Sequence, residues 1–148
     1  MKFLLVTLIS VLSLVNTKAQ ASDDVNVSAA VLASFHSAFK NASDVKWKTS
    51  GDYYKADFVV NEQYVTAYYD DNASLVAVTR NINSYQLPVT LQTKLKASYE
   101  KCWISDLFEL SDENGVSYYV TVENGDTKMT LKSANASDWN VYQKQSKS

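Results

Sequence analysis

Tyr54, Ala56, Phe58 and Val60 occupy alternate positions, with Tyr53, Lys55, Asp57 and Val59 interleaved between them. A period of two belongs to a strand whose one face meets a core while the other does not. The chain writes this pattern again and again and punctuates it with short turn signals. Gly51-Asp52 precedes the run, Asn61-Glu62 turns it into Gln63–Tyr69, and Asp70-Asp71-Asn72 turns that into Leu75–Arg80. Val45 and Trp47 mark a further short strand upstream. Connections this short bring successive strands together antiparallel, since a parallel crossover needs a much longer link.

The periodicity is helical before each set of strands. Val31, Leu32, Phe35, Ala38 and Phe39 share one helical face, with Ser28 placed to cap it. In the second half Leu87-Pro88 opens a helix, because proline suits the first helical position, and Leu91, Leu95 and Tyr99 continue its face. Ile104–Leu110, Val116–Glu123 and Thr127–Lys132 read as strands, Asp112–Gly115 as a turn and Asp138–Tyr142 as a last strand. Asn124-Gly125 is the strongest hairpin signal, both residues being able to take positive φ. Phe35, Phe39 and Ala42 match Leu95, Tyr99 and Cys102 at an offset of 60, and Tyr53-Tyr54 match Tyr118-Tyr119 at an offset of 65. The predicted fold is α+β. It consists of two tandem helix-plus-antiparallel-strand repeats, about 27–82 and 83–142, with the helices packed on one face of the sheet.

The N-terminus reads as a targeting signal. Met1-Lys2 is followed by the apolar run Phe3–Val15 and by Ala19-Gln20-Ala21, the order of a secretory signal peptide cleaved after Ala21, with Ala19 the alternative. The apolar run is too short to span a bilayer. No cysteine follows it to carry a lipid anchor. The expected product is a single domain, residues 22–148, periplasmic or secreted, with no membrane span. One cysteine excludes an internal disulfide framework, and Cys102 is expected to be a buried small hydrophobe. Fourteen Lys and Arg against 16 Asp and Glu give no electrostatic footprint for nucleic acid.

Little here suggests catalysis. His36 is the single histidine and no Ser or Cys stands at a spacing that selects it as a base, so a helix-surface position is expected. Asp70-Asp71 and Asp112-Glu113 are carboxylate pairs in predicted turns, where acids bond the local backbone. Asp70-Asp71-Asn72 offers oxygens to a cation but lacks the spacing and glycine of an EF-hand loop. Three glycines make no phosphate loop. The chain is read as non-enzymatic, without cofactor or metal. Four Asn-x-Ser patterns, at Asn26, Asn41, Asn72 and Asn135, matter only where the exporting cell glycosylates them.

The ten tyrosines carry the functional signal. If Tyr54, Ala56, Phe58 and Val60 meet the helices, then Tyr53 and Lys55 face away, and Tyr64 and Tyr68 of the next strand join them. Tyrosine supplies large contact area at low entropic cost together with a polar tip, and binding surfaces favour it. Tyr is also a good strand residue in its own right. The candidate partner-binding set is Tyr53, Lys55, Tyr64 and Tyr68, with Tyr118 added by the match between halves. The reading is an exported module that binds a protein of the cell envelope on an open sheet face. The alternative is a carrier of a small apolar ligand in a pocket lined by Phe35, Phe39, Trp47 and Phe58.

The run Phe35-x3-Phe39-x2-Ala42-x2-Val45-x-Trp47, then Gly51-x-Tyr53-Tyr54-x-Ala56-x-Phe58, resembles the PepSY-like, beta-lactamase-inhibitor-like secreted bacterial proteins. The Asp70-Asp71-Asn72 turn and the Leu87-Pro88 helix entry are similar too, so the likeness covers most of residues 30–132. The sequence departs at Ala73, where that family usually places a turn glycine. The resemblance implies tandem helix-plus-sheet repeats and an exported, non-catalytic protein, inhibitor-like or envelope-sensing. It names no target, and fold alone does not fix function.

Overall fold

Ser28 starts the first helix as its position suggests. Its hydroxyl accepts the Val31 N–H at 3.2 Å, and α1 (Ala29–Ala38) follows. That bond satisfies one of the donors a helix N-terminus leaves without a partner. The computed structural model describes residues 25–148, and the segment read as a signal peptide, residues 1–21, lies outside the described residues. After α1 come β1 (Ser43–Ser50), β2 (Tyr53–Val60), β3 (Gln63–Tyr69) and β4 (Leu75–Asn81). A short 3-10 turn, Ser84–Gln86, leads into α2 (Val89–Tyr99). The chain then closes with β5 (Trp103–Asp112), β6 (Gly115–Glu123), β7 (Thr127–Ser133) and β8 (Asn140–Ser146).

The eight strands form one sheet in sequence order, every neighbouring pair antiparallel. The α+β class and the antiparallel sheet stand as expected. The last strand starts two residues later than its sequence signal and runs on to Ser146. Pro88 is the N-cap residue of α2 rather than its first helical residue. The turn before it carries the order instead. Asn83 accepts from Tyr85 N–H, Gln86 reaches back to the Asn83 N–H, and Gln92 holds the Leu87 carbonyl at 2.8 Å.

Both helices lie on the same face of the sheet, each over its own cluster. Val31 and Phe35 pack on Ala56, Phe58, Val65, Ala67 and Tyr69. Leu87, Leu91 and Leu95 pack on Leu107, Val120, Val122 and Leu131. Register explains the grouping, because residues directly opposite in a ladder share a face. Ala56 pairs with Ala67 and Phe58 with Val65, while Val120 pairs with both Leu107 and Leu131. Between the clusters Arg80 grips Glu109 with two bonds, Nε at 2.9 Å and Nη2 at 3.2 Å. Trp139 Nε1 donates to the Leu91 carbonyl at 3.0 Å and ties the β7–β8 loop to α2.

Two turns exchange the roles their sequences suggest. Asn124-Gly125 does reverse the chain between β6 and β7, but Gly125 is not among the residues at positive φ. Asn124 Oδ1 accepts the N–H groups of Asp126 at 2.9 Å and Thr127 at 2.8 Å, so a side chain makes the turn. Positive φ at both turn residues appears at Asn61 (50°) and Glu62 (63°) between β2 and β3. A β-carbon in this region costs about 1–2 kcal/mol, which glycine avoids at the expense of greater freedom when unfolded. Glu62→Gly is therefore expected to raise stability by about 0.5–1 kcal/mol, read as a higher urea midpoint with an unchanged slope.

Candidate functional site: the uncovered sheet face

The ladder fixes which side chains face away from the helices. Lys55 pairs with Tyr68, Asp57 with Thr66 and Tyr68 with Ala77. Thr79 pairs with Leu110, Phe108 with Tyr119, and Tyr119 with Lys132. Among the described residues no helix covers this face. Even so, Tyr68 is only 3% exposed, Tyr119 8% and Leu110 9%. Directly opposite side chains on the same face stand beside them, Lys55 and Ala77 beside Tyr68, Phe108 and Lys132 beside Tyr119, and Thr79 and Ser117 beside Leu110.

The floor is aromatic in the second half and charged in the first. The Phe108 and Tyr119 rings stack with centroids 5.0 Å apart and planes 8° from parallel, and Tyr142 meets Tyr119 edge-on at 5.6 Å. Such pairs add about 0.5–1.5 kcal/mol beyond their burial. The Lys132 ammonium lies 5.3 Å from the Tyr119 ring centre. Towards the β1 side, Asp57 accepts the Thr66 hydroxyl at 2.7 Å and pairs with Lys55 at 3.3 Å and Lys48 at 3.7 Å. Burial, and secondarily the Asp57 charge, push the Tyr68 phenol up to about 12. Tyr64 stands 70% exposed at the rim, and Tyr53 is half-buried.

Four of the expected residues share this face, with different standing. Tyr64 is exposed, Tyr53 and Lys55 are half-buried with Lys55 paired to Asp57, and Tyr68 lies in the floor. Tyr118 does not belong with them. It pairs with Glu109 and Ser133 on the helix side and packs against the α2 cluster. There burial, followed by the charge of Glu109, raises its phenol. The odd offset of 65 caused the error, since a slip of one residue moves a strand side chain to the opposite face. Phe108, Leu110, Tyr119 and Tyr142 were missed. The alternation of Phe108 and Leu110 was legible, but nothing in the strand says which of its sides the helix will cover.

The remaining candidates do other work. His36 is exposed on α1, its ring edge-on to Phe35 at 5.6 Å. Cys102 is half-buried rather than buried, just past α2, where its N–H bonds the Tyr99 carbonyl. Asp70 Oδ1 is engaged by the N–H groups of Asn72 at 3.0 Å and Ser74 at 2.8 Å. Among the described residues no three His, Cys, Asp or Glu side chains come together as metal ligands. No described helix is long and apolar enough to cross a membrane. The rings expected to line a ligand pocket fill that space themselves: Phe35 lies 5.0 Å from Phe58 and 5.2 Å from Trp47, and Phe39 lies 4.7 Å from Phe58. At the far end of β6, Lys147 bonds Glu123 at 2.8 Å and, ahead of Ser105 as a cause, holds that carboxyl at about 2.

No family model matches the chain, and no curated protein does. Solved structures do share its fold. A BLIP-like protein from Bacteroides fragilis is 24% identical, covers 80% of this chain and 85% of its own, and superposes with a TM-score of 0.68. A DUF2874 family protein from Bacteroides uniformis is 18% identical over 81% of this chain and 89% of its own, with a TM-score of 0.72. A Bacteroides eggerthii protein provisionally described as periplasmic is 14% identical over 81% and 88%, also at 0.72. The fold is thus that of the BLIP-like group, to which the sequence resemblance also leads.

Proposed function

We propose that this chain is an exported, non-catalytic binding module that holds a protein partner of the cell envelope on its uncovered sheet face. The observation that carries the reading is a sheet face that no described helix covers, with the exposed Tyr64 at the rim of a floor made by buried Tyr68 and Tyr119 and half-buried Phe108 and Tyr142. Ordinary antiparallel sheets leave one face to water and make it polar. Here that face is built like the centre of an interface, aromatic and water-poor with polar residues around it. Export is supported by the Met1–Ala21 signal order and by the description of the B. eggerthii neighbour. An inhibitor-like role is supported by the BLIP-like neighbour. A tandem origin for the two halves is supported by the order helix-plus-four-strands, twice, and by same-face matches at an offset of 64: Tyr54 with Tyr118, Ala56 with Val120, Phe58 with Val122.

The test is capture from the envelope of the exporting cell. The tagged full-length chain is cross-linked there beside a Tyr53→Ala/Tyr64→Ala version, which alters the rim and leaves the floor intact. A protein held by the native chain is expected to bind the double variant at least about tenfold more weakly, since interface tyrosines commonly contribute 1–2 kcal/mol or more each. Equal retention by both versions overturns the assignment to this face.

A further inference from the structure

Alternate turns of the meander lie at one end of the sheet, and that end is acidic. The turns joining β1–β2, β3–β4, β5–β6 and β7–β8 carry Asp52, Asp70, Asp71, Asp112, Glu113 and Asp138, with no Lys or Arg among them. Asp138 is paired with Lys94 of α2, and Asp70 is engaged within its own turn. Asp112 and Glu113 differ. Among the described residues neither forms an ion pair, and the single bond to their carboxylates is the Asn114 N–H on Asp112 Oδ1 at 2.8 Å.

Between these two acids and β4 lies a cleft of about 620 Å³. It exists because β4 outruns its neighbour: Leu75 and Val76 extend past the last β4–β5 pair, Ala77 with Asp112. Its aliphatic side is Leu75, 41% exposed, with the half-buried Val76, and Asp112 and Glu113 line it as well. Tyr53 also lines it, and Tyr53 belongs to the uncovered face.

We propose that this cleft seats a lysine or arginine side chain carried on an extended loop of the protein partner. The proposal rests on the preceding reading, because Tyr53 makes the cleft a continuation of the binding face. A long apolar stem that ends in a cation matches a cleft lined by Leu75 and Val76 together with two carboxylates. The stretch of β4 left beyond β5 offers backbone for an extended segment to pair with, which is how sheets recruit peptide strands. The acidic end also attracts a cationic partner before contact and slows its wrong approaches.

The probes are acetyl-Val-Lys-Val-amide, its norleucine counterpart and its glutamate counterpart, titrated into the isotope-labelled chain and followed by backbone amide shifts. The lysine peptide is expected to move Leu75–Val78 and Ser111–Asn114. Its affinity is expected to fall about fivefold in Asp112→Asn/Glu113→Gln and by a similar factor in the norleucine peptide, as for a partly exposed ion pair. The glutamate peptide should not bind. Both substitutions sit at a turn and keep its hydrogen-bonding shape, and the amide spectrum of the variant checks its fold. Absence of shifts at those positions, equal binding of lysine and norleucine peptides, or unchanged binding to the variant each overturns the proposal. A failed titration beside a partner that Tyr53→Ala/Tyr64→Ala releases removes the cleft and leaves the face. Peptide binding beside a partner which that variant retains removes the face, and with it the claim that a face-bound partner supplies the loop.

Discussion

Phe35→Ala is expected to lower stability by about 3–5 kcal/mol, a large share of what a domain this size possesses. Phe35 is 1% exposed and its ring lies within 5.4 Å, centre to centre, of Phe39, Trp47 and Phe58. Truncation leaves a cavity walled by stiff aromatic rings that cannot collapse into it. The helix that carries Phe35 has only ten residues, too short to persist without packing. Val31 is the other fully buried side chain of α1, so loss of Phe35 removes most of the grip of that helix on β2 and β3. His36 is the internal control. It is exposed on the same helix, and His36→Ala should change stability by no more than about 0.5 kcal/mol. Urea midpoints at fixed slope give both values. A cost below about 1 kcal/mol for Phe35→Ala would mean that α1 does not hold the first core.

Much of this architecture was legible because it depends on short-range pattern. Alternation in Tyr53–Val60, turn residues at fixed spacing and helical faces before each strand set report local geometry, and the antiparallel sheet follows from them. Ser28 was legible as a cap for the same reason. What failed needed knowledge of the opposite strand. Tyr118 and Tyr119 are identical to any propensity argument, and only the pairing of Tyr118 with Glu109 decides which of them meets the helices. The reversal at Asn124-Gly125 was legible but its mechanism was not, since an Asn side chain and a positive φ are competing routes to the same turn. The site was half visible. The outward placing of Tyr53 and Tyr64 follows from alternation, but the burial of Tyr68, Tyr119 and Leu110 on an uncovered face depends on the side chains beside them on neighbouring strands, which no window of sequence contains. The cleft beside Asp112 was hidden likewise, because it depends on the length by which β4 outruns β5.

Tyr68 links the fold to the proposed binding face, and its two substitutions should part company. Tyr68→Ala empties a site that is 3% exposed and is expected to cost about 3 kcal/mol. Tyr68→Phe keeps the ring and should cost less than about 1 kcal/mol near neutral pH. The pair separates further in alkali. The folded-state phenol titrates at about 12 against 10.0 for the ordinary group, so between these values the unfolded chain gives up a proton that the folded chain retains. A raised folded pKa contributes stability that is intact below the unfolded value and is lost as pH climbs through the folded one. The native chain should lose up to about 2 kcal/mol on this account between pH 10 and 12, and Tyr68→Phe should lose correspondingly less over the same interval. Urea midpoints of both chains across this range give the difference, with the other tyrosines common to each. If the two curves run parallel, Tyr68 is not desolvated and the uncovered face is open to water at its centre. If they diverge while Tyr68→Phe still captures the partner that Tyr53→Ala/Tyr64→Ala releases, the floor supports the rim and the rim makes the contact.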